Sequence, residues 1–256
     1  MLGGMAEFRD QDLSGSTFED VNLSGAWFRN VMVPGLVMRG VWGEKVEIDG
    51  DIESLTFNGI DVIPLWHAEL CRQHPEYALL TPTDAEGYRT AWPVLEELWA
   101  ETVARARSLP EELLHERVEG EYSFIETQRH LVFATDAWIL RAVLGDPRPY
   151  HPLGLAHDEM GTIEGVPHDP DARPSLDEIL VVRAERTGTY RDVIAELTDE
   201  QLAGTTTPVL EPGYPESKAF AMSRCLRAIL SEEWWHRRYA ERDLAVLAAR
   251  AQAPAG

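Results

Sequence analysis

Apolar residues recur at every fifth position near the start of the chain and at every third or fourth position after residue 64. Seven large apolar residues share the first spacing: Phe8, Leu13, Phe18, Leu23, Phe28, Val33 and Met38. A small or apolar residue stands two places before most of them. A period of five fits neither a helix nor a flat strand. It fits a four-sided coil in which each face uses five residues and both apolar positions point inward.

The five-residue pattern over residues 6–40 resembles the pentapeptide-repeat family, whose chains wind into a right-handed square β-solenoid. Gln11 and Gly43 depart from the pattern. Between Val46 and Ile63 the spacing is nearer to strand alternation, and we interpret it as a last, irregular coil. The resemblance implies a short solenoid domain over residues 1–63. Its role is open between a structural cap on the rest of the protein and an arm that binds a partner or mimics DNA.

The remainder, residues 64–256, has the periodicity of amphipathic helices. After a short helix near residues 65–74, the pattern predicts four long ones, at about 83–109, 124–144, 175–197 and 219–250. Two start at capping boxes, Ser123 with Glu126 and Ser175 with Glu178. Pro93 should kink the first long helix or mark its true start. We therefore predict an α+β protein in which the solenoid is followed by a four-helix bundle.

Composition narrows the classes of partner and compartment. The 256 residues have a formal charge of −21 at pH 7 and a hydrophobic content of 44%. Such acidity argues against binding to nucleic acid phosphates or an anionic membrane surface. The chain has two cysteines, Cys71 and Cys225, and their number and spacing indicate no disulfide framework, which favours a reducing compartment. With no signal peptide and no long apolar run, we expect a cytoplasmic protein.

A candidate metal site comes from two helices. Glu232 and His236 stand one turn apart on the apolar stripe of the last helix, and His130 stands on a largely apolar face of the second. Buried ionisable groups persist mainly when they are paired or bind a metal. Two histidines and a carboxylate can form an open metal site. The alternatives are two hydrogen-bonded core histidines with a Glu–His pair, or a site in which Glu233 replaces Glu232.

Other polar residues receive more ordinary interpretations. His157 lies in the long connection between the second and third helices, where it is a candidate catalytic acid or base, a candidate fourth ligand, or a solvated loop residue. The stretch from Arg183 to Arg191 is interpreted as a solvated helix face. The remaining histidines are assigned no function: His67, His74, His115, His151 and His168.

The segments Tyr122-Ser123-Phe124-Ile125-Glu126-x-x-x-His130 and Glu232-x-x-x-His236 resemble the DinB-like superfamily over about residues 75–250. Its members are four-helix bundles that bind a divalent metal through one histidine on the second helix and a His-x-x-x-His pair on the last. The resemblance implies that His130, Glu232 and His236 are metal ligands. Glu232 departs from the family, because a histidine is expected at that position.

The resemblance implies a divalent metal cofactor, zinc first and iron, nickel or manganese as alternatives, and a low-molecular-weight thiol. The function expected is that of a metal-dependent enzyme, a thiol S-transferase or hydrolase, in which the metal activates a thiol or water. The alternative is a non-catalytic acidic binding protein that uses the pentapeptide-repeat arm. We expect a small-molecule substrate, no nucleic acid or membrane partner, and a homodimer as the candidate assembly.

Overall fold

A computed structural model describes residues 7–29, 31–48, 50, 52–157 and 160–252. Contacts within the chain divide it into two compact units, Met1–Ile52 and Glu53–Gly256. Of the segment that we assigned to a last coil, residues 53–63 therefore belong to the second unit and the earlier residues to the first. In the second unit the segment forms a hairpin of two short antiparallel strands, β1 (Thr56–Phe57) and β2 (Ile60–Asp61). Asn58 and Gly59 turn the hairpin, both with positive φ, as a tight two-residue hairpin turn requires.

The first unit repeats a turn and does not show the predicted solenoid. Its backbone turns every ten residues, and each turn is closed by an amide that donates to a carbonyl three residues back, as from Ser16 to Leu13 at 3.1 Å. Gly15 and Gly25 sit in two of these turns with φ of 73° and 72°, a conformation that favours glycine. Within the described residues of this unit no strand is formed.

The apolar side chains that we expected inside the solenoid are exposed. Phe8 and Phe18 are each 60% accessible and Phe28 is 68% accessible. A four-sided coil of five residues a face uses about 20 residues, so residues 6–40 supply fewer than two coils, and a solenoid needs stacked neighbours to enclose its interior. The pentapeptide-repeat segment is therefore unsupported by this structure.

The second unit is helical, as the periodicity predicted. Its α-helices are α1 (Ile63–Gln73), α2 (Ala85–Ala106), α3 (Phe124–Thr135), α4 (Leu176–Ala195), α5 (Asp199–Leu202) and α6 (Met222–Gln252). Short 3₁₀ helices lie at Pro75–Leu80 and Glu111–His115. Helix α3 continues directly into a π-helix, Asp136–Val143, which we call the π segment.

Local sequence explains where the long helices begin. The Ser123–Glu126 and Ser175–Glu178 capping boxes both form, and each satisfies amides that a helix start leaves without a partner. The Asp84 side chain accepts from the Gly87 amide and starts α2. Because α2 begins at Ala85 and continues through Pro93, the proline does not mark the helix start.

Helices α2, α3, α4 and α6 form a bundle in which α3 packs against α4 and α6, while α2 packs against α6 and α4. Large apolar side chains fill its centre, among them Trp92, Tyr190 and Trp234 at one end and Ile125 and Leu244 at the other. In the described part of the chain, no helix is both long enough and apolar enough to span a membrane. The bundle places α3 and α6 side by side, and the candidate site lies between them.

Candidate metal centre

His130 on α3 and Glu232 and His236 on α6 converge at one point of the bundle. The Nε2 atoms of His130 and His236 lie 3.4 Å and 3.0 Å from Oε2 of Glu232. The two imidazole rings have centroids 4.7 Å apart. The accessible fraction of the side chain rises from 9% at His130 to 19% at His236 and 33% at Glu232. The three groups therefore form a partly buried cluster that is open on the Glu232 side.

A backbone carbonyl fixes the orientation of His130. Its Nδ1 lies 3.0 Å from the carbonyl oxygen of Leu155. Since a carbonyl only accepts, Nδ1 is the donor, and Nε2 faces Glu232, to which it can donate as an imidazolium; in the neutral ring its lone pair can bind a metal. Metal-binding histidines usually hold their second nitrogen in this way.

Arg129, the neighbour of His130, anchors the connection that supplies this carbonyl. Its buried guanidinium donates to the carbonyls of Leu153 at 2.9 Å, Ala172 at 2.9 Å and Asp169. In addition, the Leu155 amide donates to the Arg129 carbonyl at 3.1 Å. The long connection is thus bound to α3 at the position of His130.

The cluster keeps Glu232 ionised. Burial raises the pKa of the Glu232 carboxyl, but the hydrogen bonds and charge of His130 and His236 outweigh it and hold the pKa well below its ordinary value. A metal ligand must be deprotonated, and this carboxyl meets that requirement at neutral pH.

Glu233, considered above as a substitute for Glu232, has another partner. Its carboxylate is 1% accessible and forms a two-pronged ion pair with Arg183, at 2.9 Å and 2.7 Å. Gln128 also accepts from that guanidinium. Two expectations are thereby corrected. Glu233 is occupied in the core, and Arg183 is a buried residue, because α4 turns it towards α6 and not towards solvent.

Aromatic rings surround the cluster. Tyr122 lies against both histidines, with centroids 5.4 Å from His130 and 6.4 Å from His236. Phe133 lies 6.5 Å from His130, and the next ring, Tyr214, lies 5.9 Å from Phe133. The wall beside the candidate site is therefore apolar, with phenol groups at its edges.

His157, the candidate catalytic residue, lies at the edge of this wall. Its ring contacts Tyr214 edge-on with centroids 5.3 Å apart. It follows Leu155 and Ala156 in the connection that is anchored beside His130. Two of the histidines that were assigned no function have local partners. His74 approaches Arg238 and Glu76, and Nδ1 of His151 accepts from the Leu153 amide.

Sequence reasoning missed the residues that reach the site from loops. Tyr214 is one of them. Gly213 before it allows a close approach, because a Cβ there would lie 2.4 Å from the Tyr150 hydroxyl and 2.8 Å from the Arg141 guanidinium. The only sequence signal was the length of the two connections that bring Tyr214 and His157 to α3, since long connections in a compact protein tend to be functional.

The donor set fits a divalent metal ion. Two imidazole nitrogens and one carboxylate oxygen lie within 4.8 Å of one another. Ligands of one tetrahedral ion at about 2.1 Å stand about 3.4 Å apart, close to the distances found at Glu232. Among the described residues this is the one group of three potential ligands that meets such a criterion.

Comparison with known families agrees with this geometry. The family model for the DinB superfamily matches residues 94–240, which span more than half of the chain. Comparison with curated proteins and with solved structures gives no match. The matched range begins within α2 and ends within α6, so it includes all three residues of the cluster. The chain therefore belongs to the DinB superfamily.

Proposed function

We propose that the protein is a divalent-metal-dependent enzyme that activates a thiol or water, as a thiol S-transferase or a hydrolase. The observation that supports this most is the convergence of His130 and His236 on the ionised carboxylate of Glu232. Three protein ligands leave a coordination position free for a reactant. A divalent ion at this site supplies a Lewis acid that lowers the pKa of a thiol or water towards neutrality.

The surrounding residues supply the other requirements of such a reaction. Leu155 and Arg129 hold His130 in the tautomer that presents Nε2. Tyr122 and Phe133 exclude water from one side of the cluster, which strengthens electrostatic interactions there. We propose His157 as the group that exchanges a proton with the reactant, because it stands at the edge of the wall beside Tyr214.

Zinc is the ion that we propose first, since two imidazoles and one carboxylate with an open position is a donor set of zinc enzymes. Iron, nickel and manganese accept the same donors. A low-molecular-weight thiol is the proposed second cofactor.

A non-catalytic binding protein is the second candidate, favoured by the exposed apolar repeats of the first unit. Such a protein would be expected to concentrate its acidity in that arm. Residues 1–63 contain eleven of the 44 acidic residues, about a quarter of the acids in about a quarter of the chain. This even distribution favours the enzyme.

The first test is metal analysis of protein purified without a histidine tag. We expect about one equivalent of metal in the parent and almost none in His236→Ala, because two remaining donors bind an ion weakly. His157→Gln should keep the metal and lose turnover. Circular dichroism should show helical content preserved in both variants.

His168→Ala is the matched control, since it removes an exposed histidine from the same long connection. It should leave the metal content unchanged. Equal metal content in the parent and in His236→Ala would remove His236 from the ligand set and overturn the proposed function.

A further inference from the structure

A continuous row of rings leads away from the metal centre and ends at a guanidinium. From Phe133, which lies beside His130, the row passes to Tyr214 at 5.9 Å and from there to Trp138 at 6.2 Å. The guanidinium carbon of Arg224 lies 5.8 Å from the Trp138 ring. Each step is a direct contact distance for aromatic groups. The metal centre and Arg224 are therefore the two ends of one aromatic track.

Arg224 packs on aromatic rings, and the carboxylate of Glu216 is near enough to interact with its charge. Its guanidinium lies over Phe220 at 5.6 Å as well as over Trp138. In the described part of the chain it forms no ion pair, and the residue is exposed. Cation–π contacts leave the N–H edge of a guanidinium free to bind a planar anion. In a protein with a formal charge of −21, such a cation is a favourable place for an anionic group.

Helix α6 also carries residues of both ends, Arg224 at one and Glu232 and His236 at the other. Arg224, Glu232 and His236 are separated by eight and four residues along α6, and Arg224 is rotated by about 80° around the axis from Glu232. Eight residues correspond to about 12 Å along the axis. The phenol of Tyr214 interacts with the charges at both ends. Burial and the charge of Glu232 raise its pKa, and the charge of Arg224 lowers it.

We infer that the reactant bound at the metal centre is a carboxylate, with its carboxylate on Arg224 and its reacting thiol or acceptor group at His130, Glu232 and His236. The segment between the two groups is apolar or flat and lies along the half-buried rings of Tyr214 and Trp138. The spacing of the two ends selects a molecule of about 8–12 Å between carboxylate and reacting group. This inference rests on the proposed function and adds the substrate class to it.

The test uses three pairs of thiols, each made of a mercapto acid and the mercapto alcohol of the same chain length. The chains are propyl, hexyl and undecyl, and the hexyl pair is mercaptohexanoate and mercaptohexanol. Their dissociation constants for the zinc-loaded full chain are measured by titration calorimetry at low salt. The parent should bind mercaptohexanoate about three- to tenfold more tightly than mercaptohexanol. The propyl acid is too short to reach Arg224, so it should show no such preference.

Arg224→Gln should remove the preference for the acid while its affinity for mercaptohexanol stays that of the parent. Arg227→Gln is the matched control, because it removes the same charge from an exposed position of α6 and should keep the preference. Equal affinity of the parent for acid and alcohol would overturn the carboxylate inference and leave thiol activation standing. If zinc-loaded protein binds none of the thiols, the proposed thiol chemistry fails, and the inference fails with it.

Discussion

Arg129 is a buried cation without a carboxylate partner among its hydrogen bonds, since its guanidinium donates to three backbone carbonyls. Charged groups in a core normally require a counter-charge. Here the carbonyl dipoles of the long connection share that role with the charges of Asp169 and Glu126. The consequence for His130 is indirect, because the same connection supplies the Leu155 carbonyl that orients its ring.

Arg129→Met is expected to weaken metal binding by about tenfold, the usual effect of removing a group that supports a ligand. Without the guanidinium, the connection is less firmly held, and Nδ1 of His130 loses a fixed acceptor. Competition with a chromogenic chelator measures the metal affinity, and thermal unfolding of the metal-free protein measures stability separately.

Arg141→Met is the control for this experiment. Arg141 is equally buried and also donates to carbonyls, at 2.5 Å to Glu211 and 3.2 Å to Pro215. These bonds anchor the other connection, and the one bond of Arg141 to the long connection is a longer one, 3.5 Å to Pro147. Its variant should lose stability and keep its metal affinity. If both variants bind metal as the parent does, Arg129 has a purely structural role.

At the level of single residues, the sequence located the cluster but not its supports. His130, Glu232 and His236 were identifiable because a titratable residue on an apolar helical face needs a buried partner. Arg183 was misassigned because helical spacing alone does not tell which neighbour an arginine meets. The roles of Leu155 and Arg129 depend on backbone carbonyls of a loop, and no residue type encodes them.

The π segment is the element that the periodicity did not predict. The Leu144 amide donates to the Ile139 carbonyl, five residues back, at 2.9 Å. Wider turns rotate the side chains that follow Thr135 away from their α-helical positions. In the π segment, the Asp136 carboxylate accepts hydrogen bonds from the Arg186 guanidinium and from the His151 amide, both at 2.8 Å. Tertiary partners therefore select the wider helix, and the local sequence has the same apolar spacing for either form.

The N-terminus of α3 gives a prediction about pH. Oε2 of Glu126 accepts from the Ser123 amide at 2.8 Å and from Arg117 at 2.9 Å. Burial raises the pKa of Glu126, but these donors outweigh it, so that the pKa lies below the ordinary 4.5. A lowered pKa means that the ionised carboxyl adds stability above that ordinary value and loses it as the pH falls through the folded-state pKa.

We therefore expect Glu126→Gln to reduce the free energy of unfolding by about 1 kcal/mol near neutral pH. The difference should shrink towards zero as the pH falls from the ordinary 4.5 through the lowered folded-state pKa, below which the parent carboxyl is also neutral. Urea unfolding at a series of pH values measures it. Glu97→Gln, at an exposed position of α2, should have a small effect at every pH, and a pH-independent deficit in Glu126→Gln would contradict the prediction.

The long helices were the most predictable elements. Capping boxes at Ser123 and Ser175 fixed two starts, and apolar spacing fixed the faces that meet in the core. Pro93 was predicted to kink the first long helix or to mark its start, and the second alternative is wrong, because α2 begins at Ala85 and extends through the proline. Packing on both sides of the proline holds a helix that local propensity would end there.

At the scale of the molecule, the sequence predicted the helical bundle and not the form of the first unit. The bundle followed from amphipathic faces that can only be buried against each other. The five-residue pattern specified recurring turns, but it did not contain enough coils to bury its own apolar positions. Phe18 and Trp42 are 60% and 97% accessible as a result.

These exposed apolar side chains belong to a protein with a formal charge of −21. When two copies approach, apolar attraction between the side chains opposes electrostatic repulsion between the like charges. Like charges repel over about 10 Å at 0.1 M salt but over only about 3 Å at 1 M, whereas apolar attraction persists. The mass measured by light scattering should therefore rise with sodium chloride concentration, and Phe18→Ser together with Phe28→Ser should reduce the rise. A mass that stays constant across this range would show that the apolar repeats do not attract one another. If the rise is found, the acidity of this chain acts as a colloidal stabiliser, which keeps an adhesive surface from meeting its own copies at low ionic strength.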